Sequence, residues 1–350
     1  MLYKRLENIC KPDIATCISK MLRKWNNGRL YDYQYFTEGR INVIFNIKYW
    51  HDRRLNKAIL RICMINSGLL RQSEGHEVYI SSLISSNNIK FFPKVYFYDD
   101  SKTIIPYSYM IMEEIDGITL NKDLDKKIFF DIGKTLAKIH NISVISYGKK
   151  PLDDNKLSGH EYYKSYFETA IKNCENIDKD VSDSFRELLK TYYDREIYDG
   201  RKPVLLHHDF HERNIVIQHG NMIKIIDWDS SRGGIGEYDF IKYKYMNMEK
   251  YDSEQIKMFY QGYLVERNIQ ADVNLCLYEI CWLMRMIVFE HQYKTRDSYY
   301  PDKKFYYNKY WSYHNDFERI KKSVVSDWKN FFLENIRRDK KDGNRKHDNG

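Results

Sequence analysis

Proline is scarce, six in 350 residues, and the six cysteines (Cys10, Cys17, Cys63, Cys174, Cys276 and Cys281) contain no C-x-x-C pair. Few prolines with ample apolar residues argue against a disordered chain. The cysteine spacing argues against a disulfide framework and fits buried free thiols in a reducing cytosol. No basic segment followed by an apolar one opens the sequence, so no secretory signal is expected and a cytoplasmic location is. The longest apolar run, "LCLYEICWLMRMIVF" from Leu275, is broken by Glu279 and Arg285 and is too short to span a bilayer. It reads as a buried helix, with no membrane partner. No 20–50-residue period repeats, which excludes solenoids and propellers. Neither a G-x-G-x-x-G loop nor an A-P-E segment is found, which disfavours a protein kinase.

Apolar residues make up 43% of the chain and charged residues 30%, a globular mix, and the length favours two lobes over one core. Aromatic content is 15%, with 31 tyrosines. The net charge of +8 invites a nucleic-acid partner. The basic residues are dispersed, however, and Arg337–Gly350 alone holds six basic against three acidic residues. No basic helix and no aromatic-basic RNA signature is present, so nucleic acid is not expected as a partner.

The first 30 residues read as helix. "YFTEGRINVIFNIKYW" and "KAILRICMI" read as strands, "EGHEVYISSLI" as a helix, and "FFPKVYFYDD" and "YSYMIMEEI" as two more strands. After "DGITL" the pattern turns helical: "FFDIGKTLAKIH", Tyr162–Asn173, Val181–Tyr198, and nearly everything from Glu254 onward. A strand-rich first third before a helical remainder predicts an α+β chain of two lobes.

The densest chemistry lies in "LLHHDFHERNIVIQHGNMIKIIDWDSS", Leu205–Ser231. His219-Gly220-Asn221 between two short β-branched runs predicts a β-hairpin. A hairpin brings its open ends together, so Asn214 and Asp227 become neighbours, with Asp209 five residues upstream of Asn214. Oxygen ligands on adjacent strand ends suit Mg²⁺, which completes its shell with water and phosphate oxygens. His207, His208 and His211 have spacings that a helix could turn into a zinc pair, and "HHD" could serve a metal-dependent phosphohydrolase. A helix is not expected between a strand-like run and a hairpin, and no Cys or Glu stands at zinc spacing nearby.

This stretch resembles the catalytic and metal segments of the aminoglycoside phosphotransferase and choline kinase group. That group's pattern runs H-G-D-x-H-x-x-N, a hairpin, then I-D-W or I-D-F. His207, Asp209, His211, Asn214 and Asp227 stand at those positions, and His208 replaces the common glycine. "GGIGEYDF" resembles the group's G-x-x-x-D-L segment, which makes Asp239 a structural cap, and "IGKTLAKIH" resembles its G-x-x-L-A-x-L-H helix, ending at His140. The match runs from about Phe36 to Phe240. The resemblance implies a two-lobed protein-kinase-like fold: a small β-rich nucleotide-binding lobe at 1–112, a hinge at 113–117, a larger helical catalytic and substrate lobe at 118–336, and a charged tail at 337–350 expected to be disordered.

The resemblance also implies a nucleotide site. Gly39 and Asn42 match its G-x-x-N loop, where Gly39 lets backbone approach phosphate. Arg61 stands where the phosphate-gripping lysine belongs, and a surface strand arginine is the plain alternative. Glu77 is the expected ion-pair partner, ahead of Glu74. Backbone groups around Glu113–Ile115 would meet the adenine edge. Asp209 would accept the acceptor hydroxyl's proton while Asn214 and Asp227 hold Mg²⁺ and ATP or GTP donates the phosphoryl group. Asp229 is expected on the opposite strand face from Asp227. The acceptor is expected to be a small-molecule hydroxyl compound, and the segment Asp153–Asp199, with twelve acidic against seven basic residues, points to a cationic one of the aminoglycoside type. A metabolic kinase for choline, ethanolamine, a sugar or homoserine, and a non-catalytic binding protein of the same fold, are the rivals.

Overall fold

The computed structural model describes residues 2–39, 42–64, 76–87, 89–149, 157–247, 250–270, 272–295 and 312–320. The expected charged tail at 337–350 and Glu74 lie outside the described residues. The chain divides into two compact units, Met1–Leu120 with Arg213–Ser230, and Asn121–Glu212 with Ser231–Gly350.

The first unit opens with helices α1 (Leu2–Ile9) and α2 (Ile14–Asn26), the latter capped by Asp13 through the Thr16 amide. Strands β1 (Arg29–Glu38), β2 (Asn42–His51), β3 (Arg54–Cys63), β4 (Val95–Asp99) and β5 (Ser108–Met112) form an antiparallel sheet in the order β1-β2-β3-β5-β4. Val43, Phe45, Ile47, Ala58, Leu60, Ile62, Tyr109 and Ile111 point to one face, where they join Ile14, Cys17, Ile18, Met21 and Leu22 of α2 in one core. Period-two alternation therefore sends Asn42 and Arg61 to the other face. Helix α3 (His76–Ser86) follows β3 in the chain and buries His76, Glu77, Ile80 and Ile84. Strand β6 (Gly117–Thr119) begins a second sheet. After the chain has passed through β7 (Val204–Leu206) of the other unit, β8 (Ile215–Gln218) and β9 (Ile223–Ile225) complete it in the order β6-β8-β9.

The second unit is helical: α4 (Lys126–His140), α5 (Gly159–Glu175), α6 (Lys179–Tyr192), α7 (Arg195–Asp199), α8 (Asp239–Asn247), α9 (Ser253–Glu266) and α10 (Val273–Thr295), with β7 paired to β10 (Arg232–Gly234). The single helix expected over Val181–Tyr198 is two, because Tyr193 turns extended and Asp194 caps a new start. Helices α4 and α9 approach closely through Gly133 and Gly262. A Cβ at either would stand under 2 Å from the partner's backbone, 1.8 Å from Phe259 O or 1.9 Å from Phe130 O. The apolar run from Leu275 is buried in α10, and among the described residues no helix is long and apolar enough to cross a membrane. All six cysteines are free thiols, five of them buried.

One ion pair ties α2 to the far edge of the sheet: Lys24 Nζ donates to Asp99 Oδ2 at 2.7 Å. Burial opposes ionisation of Asp99, but Lys24 and the Ser101 hydroxyl and amide outweigh it and hold the carboxyl at about 2, below its ordinary 3.8. A carboxyl lowered on folding stabilises the fold above its unfolded value, and that contribution is lost as pH falls through the folded value. Asp99→Asn is therefore expected to lower unfolding free energy by roughly 1–2 kcal/mol at pH 7. The difference from wild type should shrink between pH 4 and pH 2, as urea titrations across that range would read.

Candidate functional site

The residues singled out in the sequence divide between the units. Gly39, Asn42, Arg61, Glu77, Glu113, Ile115, Asn214 and Asp227 belong to the first, and Asp209 to the second.

In the first unit, the alternation of β3 and the first turn of α3 bring Arg61 and Glu77 together. Arg61 Nη1 donates to Glu77 Oε2 at 2.5 Å, and Nη2 pairs with Asp229 and lies 3.9 Å from Asp227 Oδ1. Arg61 is only 8% exposed and Glu77 1%, so the plain alternative of a surface arginine is excluded. With its amide oxygen turned to the guanidinium, Asn42 accepts from Arg61 Nε at 3.0 Å and Nη2 at 2.6 Å. Burial works against the charge on Arg61, but Glu77, Asp229 and Asp227 outweigh it and raise its pKa. Burial pushes the Glu77 carboxyl above its ordinary value, opposed by Arg61 and by the Trp228 amide.

The predicted hairpin forms, with Gly220 at φ +79° and Asn221 at φ +61° in its turn. At the open end Ile226 N–H donates to Asn214 O at 2.9 Å, which sets Asn214 beside the residue preceding Asp227. Asn214 is buried, while the Asp227 side chain is half exposed at 51%. Asp229 departs from expectation. The chain leaves β9 at Ile225, takes left-handed φ +62° at Asp227, and turns tightly over Trp228–Ser230. Residues two apart on a strand share a face, so the expectation of opposite faces misapplied the alternation, and Asp229 stands with Asp227 on the side of Arg61. Trp228 anchors the turn: it is fully buried, donates to Ile225 O at 2.8 Å, and packs on Phe91 and Phe92.

Gly39 N–H donates to Asn42 O at 2.9 Å, and a Cβ there would meet nothing within 4 Å, so the loop leaves room for close approach. Glu113 is engaged through both its amide and its side chain. Its amide donates to Lys94 O at 2.8 Å, and its carboxylate accepts from Lys94 N at 3.0 Å and Lys224 Nζ at 2.8 Å. Only its carbonyl is left for an adenine edge, with the half-buried Ile115 two residues on.

In the second unit, the loop after β7 is held by Asp239. That carboxylate accepts from His207 N at 2.8 Å and His208 N at 2.7 Å, and His140 Nε2 lies 3.2 Å away. Asp239 is thus a cap on a loop and not on a helix. His207 Nδ1 accepts the Asp209 amide at 3.2 Å, which places that ring's proton on Nε2. His208 stands at φ +61°, a left-handed conformation that explains why glycine is common at this position. Burial and then Arg232, Lys242 and Lys149 drive its pKa well down, and Nε2 meets Tyr278 OH at 2.8 Å. Asp209 itself forms an ion pair with Lys242, with His211 Nε2 at 3.7 Å. Lys242 escaped sequence reading, although it stands one helical turn after Asp239 on α8. Among the described residues no group of three or more His, Cys, Asp or Glu is placed to hold a metal ion.

Removing Arg61 strands a buried carboxylate. Arg61→Met is expected to destabilise the fold by on the order of 3–5 kcal/mol, and Arg61→Met with Glu77→Leu by distinctly less. Thermal melts of the two variants against wild type check this.

The sequence matches the model of the Phosphotransferase enzyme family over residues 32–272. No curated protein matches it. Among solved structures, spectinomycin phosphotransferase in complex with ADP and spectinomycin is 17% identical, with 86% of this chain and 95% of that one covered at a TM-score of 0.57. An ethanolamine kinase from Plasmodium vivax is 16% identical, covering 85% and 83% at 0.58. A choline kinase from Streptococcus pneumoniae is 16% identical, covering 87% and 98% at 0.58. At these identities the likeness is one of fold, and the α+β fold is protein-kinase-like, as the sequence resemblance implied. With more than half of its length under the family model, the chain belongs to the phosphotransferase enzyme family and is a small-molecule kinase.

Proposed function

We propose that the protein transfers the γ-phosphoryl group of ATP or GTP to a hydroxyl of a small molecule. The observation that carries this reading is the hairpin that sets Asn214 and Asp227 on adjacent strand ends, in a chain of this family. Relatives of the same fold were solved with ADP and with ATP, which supports a nucleotide donor.

The donor set fits Mg²⁺: an amide and a half-exposed carboxylate, both hard oxygen ligands, few enough to leave positions for phosphate and water. Held by Asn214 and Asp227, the ion would neutralise charge on the donor phosphates. Asp209 takes the proton of the acceptor hydroxyl. The acceptor oxygen bonds to the γ-phosphorus as the bond from that phosphorus to the bridging oxygen breaks, and the nucleoside diphosphate leaves. Lys242 pairs with the Asp209 carboxylate and holds it in place. Arg61, pinned by Glu77, offers the edge now facing Asp229 to donor phosphates, and Gly39 and Asn42 line that approach. The Glu113 carbonyl and the Ile115 backbone meet the adenine edge.

The finer reading, an amine-bearing acceptor of the aminoglycoside type, is supported by relatives named for spectinomycin, ethanolamine and choline. The acidic segment that suggested it lends less support than its charge implied. Asp178 and Asp194 cap α6 and α7, and Glu161 closes a capping box on α5. Arg186 pairs with Glu175 and Asp183, Lys190 with Glu187, and Arg195 with Asp199. These carboxylates serve their own helix or the next one.

Asp209→Asn is expected to reduce phosphoryl transfer by roughly 10²–10⁴-fold with nucleotide affinity retained. Wild-type turnover in that variant would remove Asp209 from the chemistry. Asp227→Ala is expected to abolish the gain in nucleotide affinity that Mg²⁺ confers. Calorimetry with and without the ion reads it, and an undiminished gain refutes the ligand role.

A further inference from the structure

Arg61 is the group that donor phosphates must reach, yet within the first unit its hydrogens are already spent. A guanidinium offers two faces to a bidentate partner, the Nε–Nη2 edge and the Nη1–Nη2 end. The Asn42 amide oxygen takes the first, accepting from Nε at 3.0 Å and Nη2 at 2.6 Å. Glu77 Oε2 takes Nη1 of the second at 2.5 Å. Asp229 Oδ2 holds Nη2, the nitrogen common to both. A phosphate that grips Arg61 with two oxygens therefore has to displace a partner.

Burial and charge decide which one leaves. Glu77 sits in the first turn of α3, is 1% exposed, and also faces the Trp228 amide, so it has no solvent to move into. Asn42 carries no charge and its backbone is paired to Cys63 of β3. Asp229 has an exit: its side chain is 24% exposed and it stands on a three-residue turn outside the sheets. Among the described residues Arg61 is the one cation it pairs with. The contact also sets an electrostatic problem, because one guanidinium faces Glu77, Asp229 and Asp227 together. Without a counter-ion, a polyphosphate enters surroundings that are already negative in sum and strands the carboxylate it displaces. An ion held at Asp227, two residues away, would offset that stranded charge.

We propose that Asp229 is a latch on the nucleotide site: it occupies the phosphate-gripping nitrogen of Arg61 before nucleotide binds, and nucleotide gains Arg61 only by displacing it. Asp229 thereby makes nucleotide binding depend on the divalent ion. That task is separate from ligating the ion, which falls to Asn214 and Asp227. The latch rests on Arg61 as the residue that meets the donor phosphates.

The test is calorimetry on the full chain with ADP and with tripolyphosphate, each in EDTA and in Mg²⁺. Asp229→Asn is expected to raise affinity in EDTA by roughly 10–100-fold, the worth of a charge-assisted hydrogen bond passed to phosphate. Affinity in Mg²⁺ should change far less, so the gain that the ion confers shrinks. Asp227→Ala acts on the other leg and lowers affinity in Mg²⁺. Plain repulsion between Asp229 and phosphate would also raise affinity in EDTA, and Arg61 separates the two causes. In the background of Arg61→Met with Glu77→Leu, repulsion would persist, whereas release of a latch has nothing to offer. There Asp229→Asn is expected to leave affinity in EDTA unchanged. An equal gain in that background, or no gain in the otherwise wild-type chain, overturns the latch. Loss of fold stability alone does not produce this difference between backgrounds. Absence of Mg²⁺-dependent nucleotide binding by the wild type is a separate result: it defeats the phosphotransfer reading, and the latch with it.

Discussion

A guanidinium in the interior needs carboxylates around it, and the first unit is arranged to meet that need at Arg61. The residue cannot shed its charge, so its burial on the far face of β3 obliges Glu77, Asp229 and Asn42 to converge there. The constraint acts at long range in sequence. It fixes α3 against the sheet through Glu77 and draws in the tight turn after β9 through Asp229. That turn also sets the backbone at Asp227, and Trp228 locks it by filling the space beside Phe91 and Phe92. One buried charge thereby positions the carboxylates on which nucleotide and metal binding would depend.

Asp239 plays the corresponding part in the second unit. Two successive amides of the loop after β7 converge on its two oxygens, and His140 holds it from the other side. His207 and His208 both sit in that loop, where burial drives the pKa of His208 well down. Their role is to shape the loop, one accepting the amide of Asp209 and the other reaching Tyr278. Two of the three histidines that look like metal ligands in a linear reading, His207 and His208, are in this structure parts of a hydrogen-bonded scaffold.

Much of this was legible in the sequence where local rules govern. The hairpin at 215–225 followed from His219-Gly220-Asn221 between β-branched runs, and the helical second half from its periodicity. The partnership of Arg61 with Glu77 followed from the family pattern. What escaped depended on contacts between distant segments or on a break in regular geometry. Asp229 was assigned to the wrong face although residues two apart on a strand share one, and beyond Ile225 a left-handed residue and a tight turn set it beside Arg61. Lys242 carries no mark of its own until α8 is folded against the loop. The acidic stretch on α5–α7 looked like a surface for a cationic ligand, because composition cannot distinguish a carboxylate that caps its own helix from one that faces a ligand.

The pairing of β6 with β8 has a consequence for how the chain is made. Strand β6 ends at Thr119, and its partner in the sheet ends at Gln218. About a hundred residues must leave the ribosome between the two. At ordinary rates of synthesis that is a wait of roughly 5–20 s. Throughout it the first unit holds an unpaired strand edge, and Arg61 and Glu77 wait for the carboxylate at Asp229. The second unit's helices α4 to α7 emerge within the same interval. The contacts among α5, α6 and α7 are local in sequence and form quickly, whereas α4 waits for α9, so the later-encoded unit begins to fold before the first can be completed.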